Sequence, residues 1–183
     1  MKSQKNLVRG VLIVATLAIQ GIPLSVYADS SSPTVESKKA PLQIEARTGI
    51  KVVAQINSAD TTPKGISKQL LGVKNLLDQY TALGMIAGRD FDVAVVFRGD
   101  GAQFLLNDQA YYAKVKDAHS NGNPSRQMIE GLHQLGVKIF ECQVTMKARG
   151  YDNEDLLPFS RVVVSGIGAL VDFEKSGYLP INP

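Results

Sequence analysis

The stretch FDVAVVF, residues Phe91 to Phe97, decides the fold because it is an almost unbroken apolar run between charged residues. Its β-branched and aromatic composition predicts a strand. The near absence of polar alternation predicts that both faces of this strand are buried, as in a parallel sheet with helices on both sides. We therefore expect residues 91–97 to form an inner strand of such a sheet.

Short apolar segments and amphipathic segments alternate on either side of this run. Further strands are expected at Ile50–Asn57, Val137–Cys142 and Arg161–Val164, with a short edge strand at Tyr178–Ile181. Helices are expected between Gly65 and Met85, opened by Pro63, and over Ser125–Leu135, Gln143–Arg149 and Ile167–Lys175. Strands that alternate with helices predict an α/β fold, with an open, mostly parallel sheet of about five strands and helices on both faces.

The composition excludes several classes of protein. The 183 residues are 44% hydrophobic and 20% charged, which is typical of a globular domain and not of collagen, coiled coil or low-complexity disorder. A single cysteine excludes a disulfide scaffold. The formal net charge of +3 is accounted for by Lys2, Lys5 and Arg9, and the remaining charges balance. Balanced charge argues against nucleic acid as a partner.

The N-terminus has the pattern of a secretory signal peptide. The three cations precede the apolar run Val11–Ile19, and Val26-Tyr27-Ala28 places small residues at a cleavage site. The run is about half of the ~20 residues that a membrane span needs, so we expect no stable membrane insertion after cleavage. The predicted organisation is a signal peptide at 1–28, a flexible segment at 29–48 and an α/β domain at 49–183. The predicted location is the periplasm.

Cys142 lies where the third predicted strand passes into the short helix Gln143–Arg149. Ligands and reactive groups gather at the carboxyl ends of parallel strands. A helix N-terminus favours an anion by roughly 0.3–1 kcal/mol, so it stabilises a thiolate over a thiol. We expect Lys147 and Arg149 to strengthen this field. Glu141 opposes it, although strand alternation is expected to turn the Glu141 side chain to the other face.

Other kinds of site find little support. No glycine-rich phosphate loop follows a strand, which argues against a nucleotide enzyme. His119 and His133 have no metal-ligand spacing with each other or with Cys142, so we expect no metal site. No cofactor is therefore expected.

Four segments carry a resemblance to a known family: VVFRGDG at 95–101, GVKIFEC at 136–142, MKARG at 146–150 and VVSGIGAL at 163–170. Together they resemble the DsrE/DsrF-like family from about Ile50 to Pro183. The strand–cysteine–short helix–glycine element is the most specific part. The resemblance implies a flavodoxin-like fold that assembles into trimers or hexamers. In the sulfur-relay members of the family, a cysteine at the position of Cys142 carries sulfur as a persulfide.

On this resemblance we expect an exported sulfur carrier or sulfurtransferase-type protein in which Cys142 is the reactive residue and its thiol is exposed. Its thiolate would attack a sulfane sulfur and hold it as a persulfide until an acceptor removes it. The residues expected to bind the substrate are Arg98, Gln143, Thr145, Lys147 and Ser165. The expected partners are sulfur donor and acceptor proteins or low-molecular-weight thiols, together with further copies of the chain.

Two other interpretations stay open. In the first, the chain is a non-catalytic, oligomeric module that binds a small ligand, with Cys142 as a packing residue. The pocket would then be lined by Phe104, Met146 and Phe159. In the second, Cys142 is a redox sensor whose thiol is oxidised to sulfenic acid or pairs with a cysteine of another protein.

Overall fold

The fold is described from a computed structural model, in which residues 44–118 and 121–183 are described. They belong to one unit, residues 42–183. The predicted signal peptide, residues 1–28, and most of the predicted flexible segment 29–48 lie outside the described residues. Within the described part of the chain, no helix is both long and apolar enough to span a bilayer.

The centre of the unit is a five-stranded sheet in which every neighbouring pair of strands is parallel. The strands are β1 (Ile50–Ile56), β2 (Phe91–Phe97), β3 (Lys138–Cys142), β4 (Arg161–Val163) and β5 (Leu179–Ile181). Their order is β4-β3-β2-β1-β5, so β4 and the predicted edge strand β5 lie at the two edges. The open, parallel α/β sheet predicted from the sequence is confirmed.

Five α-helices connect the strands of the described chain: α1 (Lys68–Ala82), α2 (Asp108–Lys114), α3 (Arg126–Gln134), α4 (Gln143–Arg149) and α5 (Gly166–Lys175). Four of them match predicted helices. The first begins at Lys68 and not near Pro63, because the Ser67 hydroxyl caps it by accepting the N–H of Leu70. The helix α2 was not predicted from the sequence, because its seven residues show no helical spacing of apolar side chains. It begins where the Asn107 side chain accepts the N–H of Ala110 at 2.9 Å.

Two hydrophobic clusters cover the two faces of the sheet. The larger one contains Val95 and Phe97 of β2 and side chains from α1, α2, α3 and α4. The smaller one contains Ala94 and Val96 of β2 and packs against α5. Since successive residues of β2 are buried on opposite faces, the strand reads as one continuous apolar run.

Five aliphatic side chains near the β4 edge remain between 39% and 78% exposed: Val144, Val162, Val164, Ile167 and Val171. We call these five residues the aliphatic patch. They belong to the first turn of α4, to β4 and the residue after it, and to α5. Exposed apolar groups beside an edge strand with unpaired backbone groups are typical of an interaction surface.

The segment that follows β2, predicted as a loop from Arg98, is a 3₁₀ helix over Gly99–Leu105. This segment packs closely against the end of β1. A Cβ atom at Gly101 would lie 2.3 Å from the carbonyl oxygen of Ile56. Backbone cannot give way as a flexible side chain does, so only glycine fits here.

We therefore expect Gly101→Ala to lower the free energy of unfolding by at least about 2 kcal/mol, measured by urea denaturation. Gly131→Ala in α3 is the matched control, because a Cβ atom there would meet no atom within 4 Å. Alanine has a higher helix propensity than glycine, so this control should raise the free energy of unfolding by up to about 1 kcal/mol. An unchanged stability of the Gly101 variant would contradict the close packing of the 3₁₀ segment on β1.

Candidate functional site

The candidate site lies at the carboxyl edge of β2, β3 and β4, where the sequence predicts it. Phe97 pairs with Glu141, and Cys142 pairs with Val163. Arg98, which follows Phe97, is therefore next to Cys142 on the neighbouring strand. This parallel register brings together residues that are more than forty positions apart in the sequence.

Cys142 occupies the N-cap position of α4 with extended backbone angles, so the strand passes directly into the helix. The helix ends at Gly150, which has a φ of 66° in the left-handed region that favours glycine. The predicted strand–cysteine–short helix–glycine element is thus confirmed in position and length.

Hydrogen-bond donors surround the sulfur atom of Cys142. The N–H of Gly166, the first residue of α5, donates to Sγ at 3.1 Å. Burial raises the pKa of the thiol, but hydrogen bonds from the hydroxyl and N–H of Thr145 and from the N–H groups of Gly166 and Val144 lower this pKa below its usual value of 9.0. The thiolate is therefore stabilised by dipoles from the first turns of two helices.

The sulfur is more covered than the sequence predicts. We expected an exposed thiol, whereas only 5% of the surface of Cys142 is accessible. The cover includes the backbone of α5, because a Cβ atom at Gly166 would lie 3.1 Å from the Cβ of Cys142. The sequence places a glycine pair near the end of β4 but does not show that this backbone closes over the cysteine.

Arg98 lies beside this cysteine. Its Cβ and Cδ atoms would lie 3.2 and 3.3 Å from a Cβ atom at Gly166, so both side chains pack on the same glycine. The guanidinium group then reaches away along the sheet edge, where Nη1 donates to Oε1 of Gln55 at 3.2 Å. The structure thus brings Arg98 to the site and holds its charge to one side of the sulfur.

Thr145 and Ser165 also lie at the site, and the hydroxyl oxygen of each accepts a backbone N–H. The Thr145 hydroxyl accepts the N–H of Gly99 at 3.0 Å, which ties α4 to the 3₁₀ segment. The Ser165 hydroxyl accepts the N–H of Gly168 at 3.2 Å and caps α5. Thr145 therefore acts on the sulfur directly, whereas Ser165 positions the helix whose first N–H does so.

Gln143 and Lys147 lie elsewhere on α4. They line a surface depression of about 180 Å³ with Tyr151, and Cys142 is not part of its lining. Arg149, expected to strengthen the field at the sulfur, instead forms an ion pair with Asp100 of the 3₁₀ segment. The positive side chains of α4 thus contribute less to the site than its backbone does.

Glu141 is a feature of the site whose burial the sequence analysis did not predict. Its side chain is fully buried, and its Oε1 accepts the N–H of Cys142 at 2.9 Å. Burial raises the pKa of this carboxyl group to about 9, so it is protonated at neutral pH. Strand alternation places its side chain on the face opposite that of Cys142, since Ile139 packs in the larger hydrophobic cluster and Phe140 in the smaller one. A charged residue inside an apolar strand was the signal in the sequence.

The predicted ligand pocket does not form. Phe104 and Met146 are buried in the larger hydrophobic cluster. Phe159 stacks on the ring of His133 with a centroid distance of 4.4 Å. Within the described residues no group of three His, Cys, Asp or Glu side chains is placed to hold a metal ion.

Thr145→Val is expected to raise the pKa of the Cys142 thiol, because the hydroxyl donor is lost while the shape is kept. One hydrogen bond to a charged group contributes about 1.5–3 kcal/mol, so alkylation by iodoacetamide at neutral pH should slow about tenfold or more. Thr145→Ser keeps the hydroxyl and is the matched control. Equal alkylation rates in the Val and Ser variants would show that the hydroxyl does not stabilise the thiolate.

Comparisons with known proteins agree with this fold. A solved structure of MTH1491 from Methanobacterium thermoautotrophicum, described as a protein of unknown function, is 25% identical, with a TM-score of 0.54 over 73% of this chain and 99% of that one. The ychN protein from E. coli is 16% identical, with a TM-score of 0.51 over 73% and 97% of the two chains. No curated protein matches this sequence. The model of the DsrE/DsrF-like family matches residues 50–183, and the chain belongs to that family.

Proposed function

We propose that this protein carries sulfane sulfur as a persulfide on Cys142. Its family is associated with sulfur relay in general. The observation that supports the proposal most is the set of hydroxyl and N–H donors around the sulfur, which lowers the pKa of the thiol even though burial opposes ionisation. A persulfide is also an anion at neutral pH, so the same donors suit the loaded state.

The proposed transfer needs no change in net oxidation state. The Cys142 thiolate attacks the outer sulfur of a donor persulfide, R–S–SH. An S–S bond forms to Cys142 as the S–S bond of the donor breaks, and the donor leaves as the thiolate RS⁻. An acceptor thiolate then attacks the outer sulfur, and the electron pair of the broken S–S bond returns to Cys142.

The residues around the sulfur would have different roles in this transfer. Thr145 stabilises the sulfur anion through its hydroxyl, and Ser165 keeps α5 in place. We propose that Arg98 binds the anionic part of a donor or acceptor at the edge of the site. Gln143 and Lys147 lie on the adjacent depression, where they would contact a bound donor or acceptor protein.

Access to the buried sulfur is compatible with this proposal because the first turn of α5 contains two glycines. Gly166 and Gly168 place no side chain over Cys142, and the exposed residues Val144 and Ile167 begin the two adjoining helices. A donor would approach between these first turns. A carrier needs such an opening and no catalytic triad.

The aliphatic patch supports assembly with further copies of the chain, as trimers or hexamers. It surrounds the edge strand next to the one that carries Cys142. Burial of this patch in a homo-oligomer would cover the unpaired edge of β4 and place the sulfur near a subunit boundary. Sulfur donor and acceptor proteins, or low-molecular-weight thiols, would meet the site there.

We also propose that the chain works in the periplasm after removal of its first 28 residues. The basic start, the short apolar run and the small residues before Asp29 support export. An oxidising compartment makes a single cysteine without an intramolecular partner a suitable place for reversible sulfur chemistry.

The first prediction from this proposal concerns the mass of the protein. Incubation with glutathione persulfide should add ~32 Da for each sulfur to Cys142, because the thiolate takes the outer sulfur of the donor. Reductant should remove the added mass, and Cys142→Ser should gain none. Intact mass spectrometry measures all three results.

Two outcomes would favour the other interpretations. Oxidation of Cys142 by peroxide without any uptake of sulfane sulfur would favour a redox sensor. A thiol that is inert to both reagents would favour a ligand-binding module in which Cys142 packs as a small hydrophobe.

A separate prediction concerns the assembly. Val164→Lys should lower the molar mass measured by light scattering, because it places a charge within the aliphatic patch. Ile86→Lys is the control, since Ile86 is also exposed but lies before β2, at the other end of the sheet. A wild-type protein that is monomeric at all concentrations would contradict the proposed assembly.

A further inference from the structure

The persulfide chemistry described above makes no use of Glu141, the residue before Cys142. Its side chain has no exposed surface, and strand alternation puts it on the face of the sheet opposite the Cys142 side chain. Oε1 accepts the N–H of Cys142, whereas Oε2 has no partner among the described residues. A buried carboxyl group that is only half satisfied lowers stability, and an apolar side chain of similar length would avoid that loss.

The one hydrogen bond that Glu141 makes is at the end of β3. The last pair in register between β2 and β3 joins Phe97 to Glu141, so the ladder with β2 stops one residue before the cysteine. The N–H of Cys142 is bonded to the carboxyl oxygen instead. This bond holds the peptide that precedes Cys142 at the point where the chain turns from strand to helix.

The position of that peptide determines where the sulfur lies. Sγ is 3.1 Å from the nitrogen of Gly166, and hydrogen bonding by Thr145 also lowers the pKa of the thiol. A small rotation at the end of β3 would lengthen these contacts together, because they all converge on one atom. Hydrogen bonds weaken steeply with distance and misalignment.

The charge of the carboxyl group matters as much as its position. The ionisable groups that interact with Glu141 are Cys142 and Tyr151. Burial is the largest cause of the raised pKa of Glu141, and the neighbouring thiolate raises it further. A second negative charge so close to the sulfur anion in a poorly solvated interior would be strongly unfavourable. An uncharged acid can accept the N–H of Cys142 without opposing the thiolate.

We propose that Glu141 is a positioning residue for the sulfur: its uncharged carboxyl group anchors the N–H of Cys142 and so keeps Sγ in contact with the donors that stabilise its anion. This inference deepens the proposed function, since it concerns the same sulfur site. Its test needs no sulfur donor, so the positioning role can be disproved independently of the carrier function.

The test compares Glu141→Gln with Glu141→Met. Glutamine keeps a neutral oxygen acceptor at nearly the same place, so this conservative variant should retain most of the reactivity of the thiol. Methionine fills the space without an acceptor, and we expect it to raise the pKa of the thiol by about one unit. The pH profile of iodoacetamide alkylation measures this shift, as a rate about tenfold slower below the pKa of the thiol.

The results that would overturn the inference are distinct. A folded Met variant with the wild-type pH profile would show that Glu141 does not position the cysteine. A Gln variant as slow as the Met variant would show that a neutral acceptor is insufficient. If the Met variant does not fold, Glu141→Asp replaces it, because the shorter side chain withdraws its oxygen from the N–H and should raise the pKa of the thiol similarly.

A second measurement tests the charge of the carboxyl group. Because the pKa of Glu141 is raised in the folded protein from 4.5 to about 9, the folded state binds an extra proton between these values. The stability of the wild type relative to Glu141→Gln should therefore fall as the pH rises from 5 to 9, as measured by urea denaturation. A constant difference would contradict an uncharged carboxyl group.

Measurement of sulfur loading distinguishes the carrier function of Cys142 from the positioning role of Glu141. If the Met variant shows the expected slower alkylation but the wild type takes no sulfur from glutathione persulfide, the positioning role stands and the carrier function fails. If sulfur is loaded equally well by the wild type and the Met variant, the carrier function stands and the positioning role fails.

Discussion

The parallel pairing of β2, β3 and β4 is the constraint on which the site depends. Because the three strands run in one direction, the 3₁₀ segment, α4 and α5 all begin at the same edge of the sheet. Their first N–H groups have no partners within their own helices and remain available there. Cys142 ends the middle strand of the three, so donors from two helices converge on its sulfur. No long-range cation is needed to lower its pKa.

Local patterns in the sequence predicted the parts of the fold that are governed locally. The unbroken run of β2 and the cysteine between β3 and α4 were both found in this way, because burial and helix capping leave a direct mark on residue type. The contact between Gly166 and Cys142 joins residues 24 positions apart and depends on how α5 packs on the sheet. The presence of a glycine at 166 and a cysteine at 142 does not by itself indicate that the two residues are in contact. The same holds for α2, whose seven residues show no helical period and are not followed by a glycine such as the Gly150 that marks the end of α4.

The burial of Cys142 joins two interpretations that the sequence presents as alternatives. A thiol with 5% of its surface accessible is a packed residue, and its immediate cover includes the backbone of a glycine. The same thiol has a lowered pKa because its contacts include N–H and hydroxyl groups. Exclusion of water strengthens such hydrogen bonds, so together they outweigh the burial that by itself raises the pKa of the thiol. The expectation of an exposed thiol at Cys142 was therefore wrong.

Glu141 extends the same reasoning to the other face of the sheet. Two adjacent residues that can both ionise are buried on opposite sides of one strand, and the hydrogen bonds around them differ. The sulfur has several hydrogen-bond donors, whereas the carboxyl group accepts one hydrogen bond and its other oxygen has no partner among the described residues. The surroundings therefore shift the two pKa values in opposite directions: the pKa of the thiol is lowered, and that of the carboxyl group is raised to about 9. Local rules of sequence and burial are broken here in a way that proteins commonly reserve for functional sites.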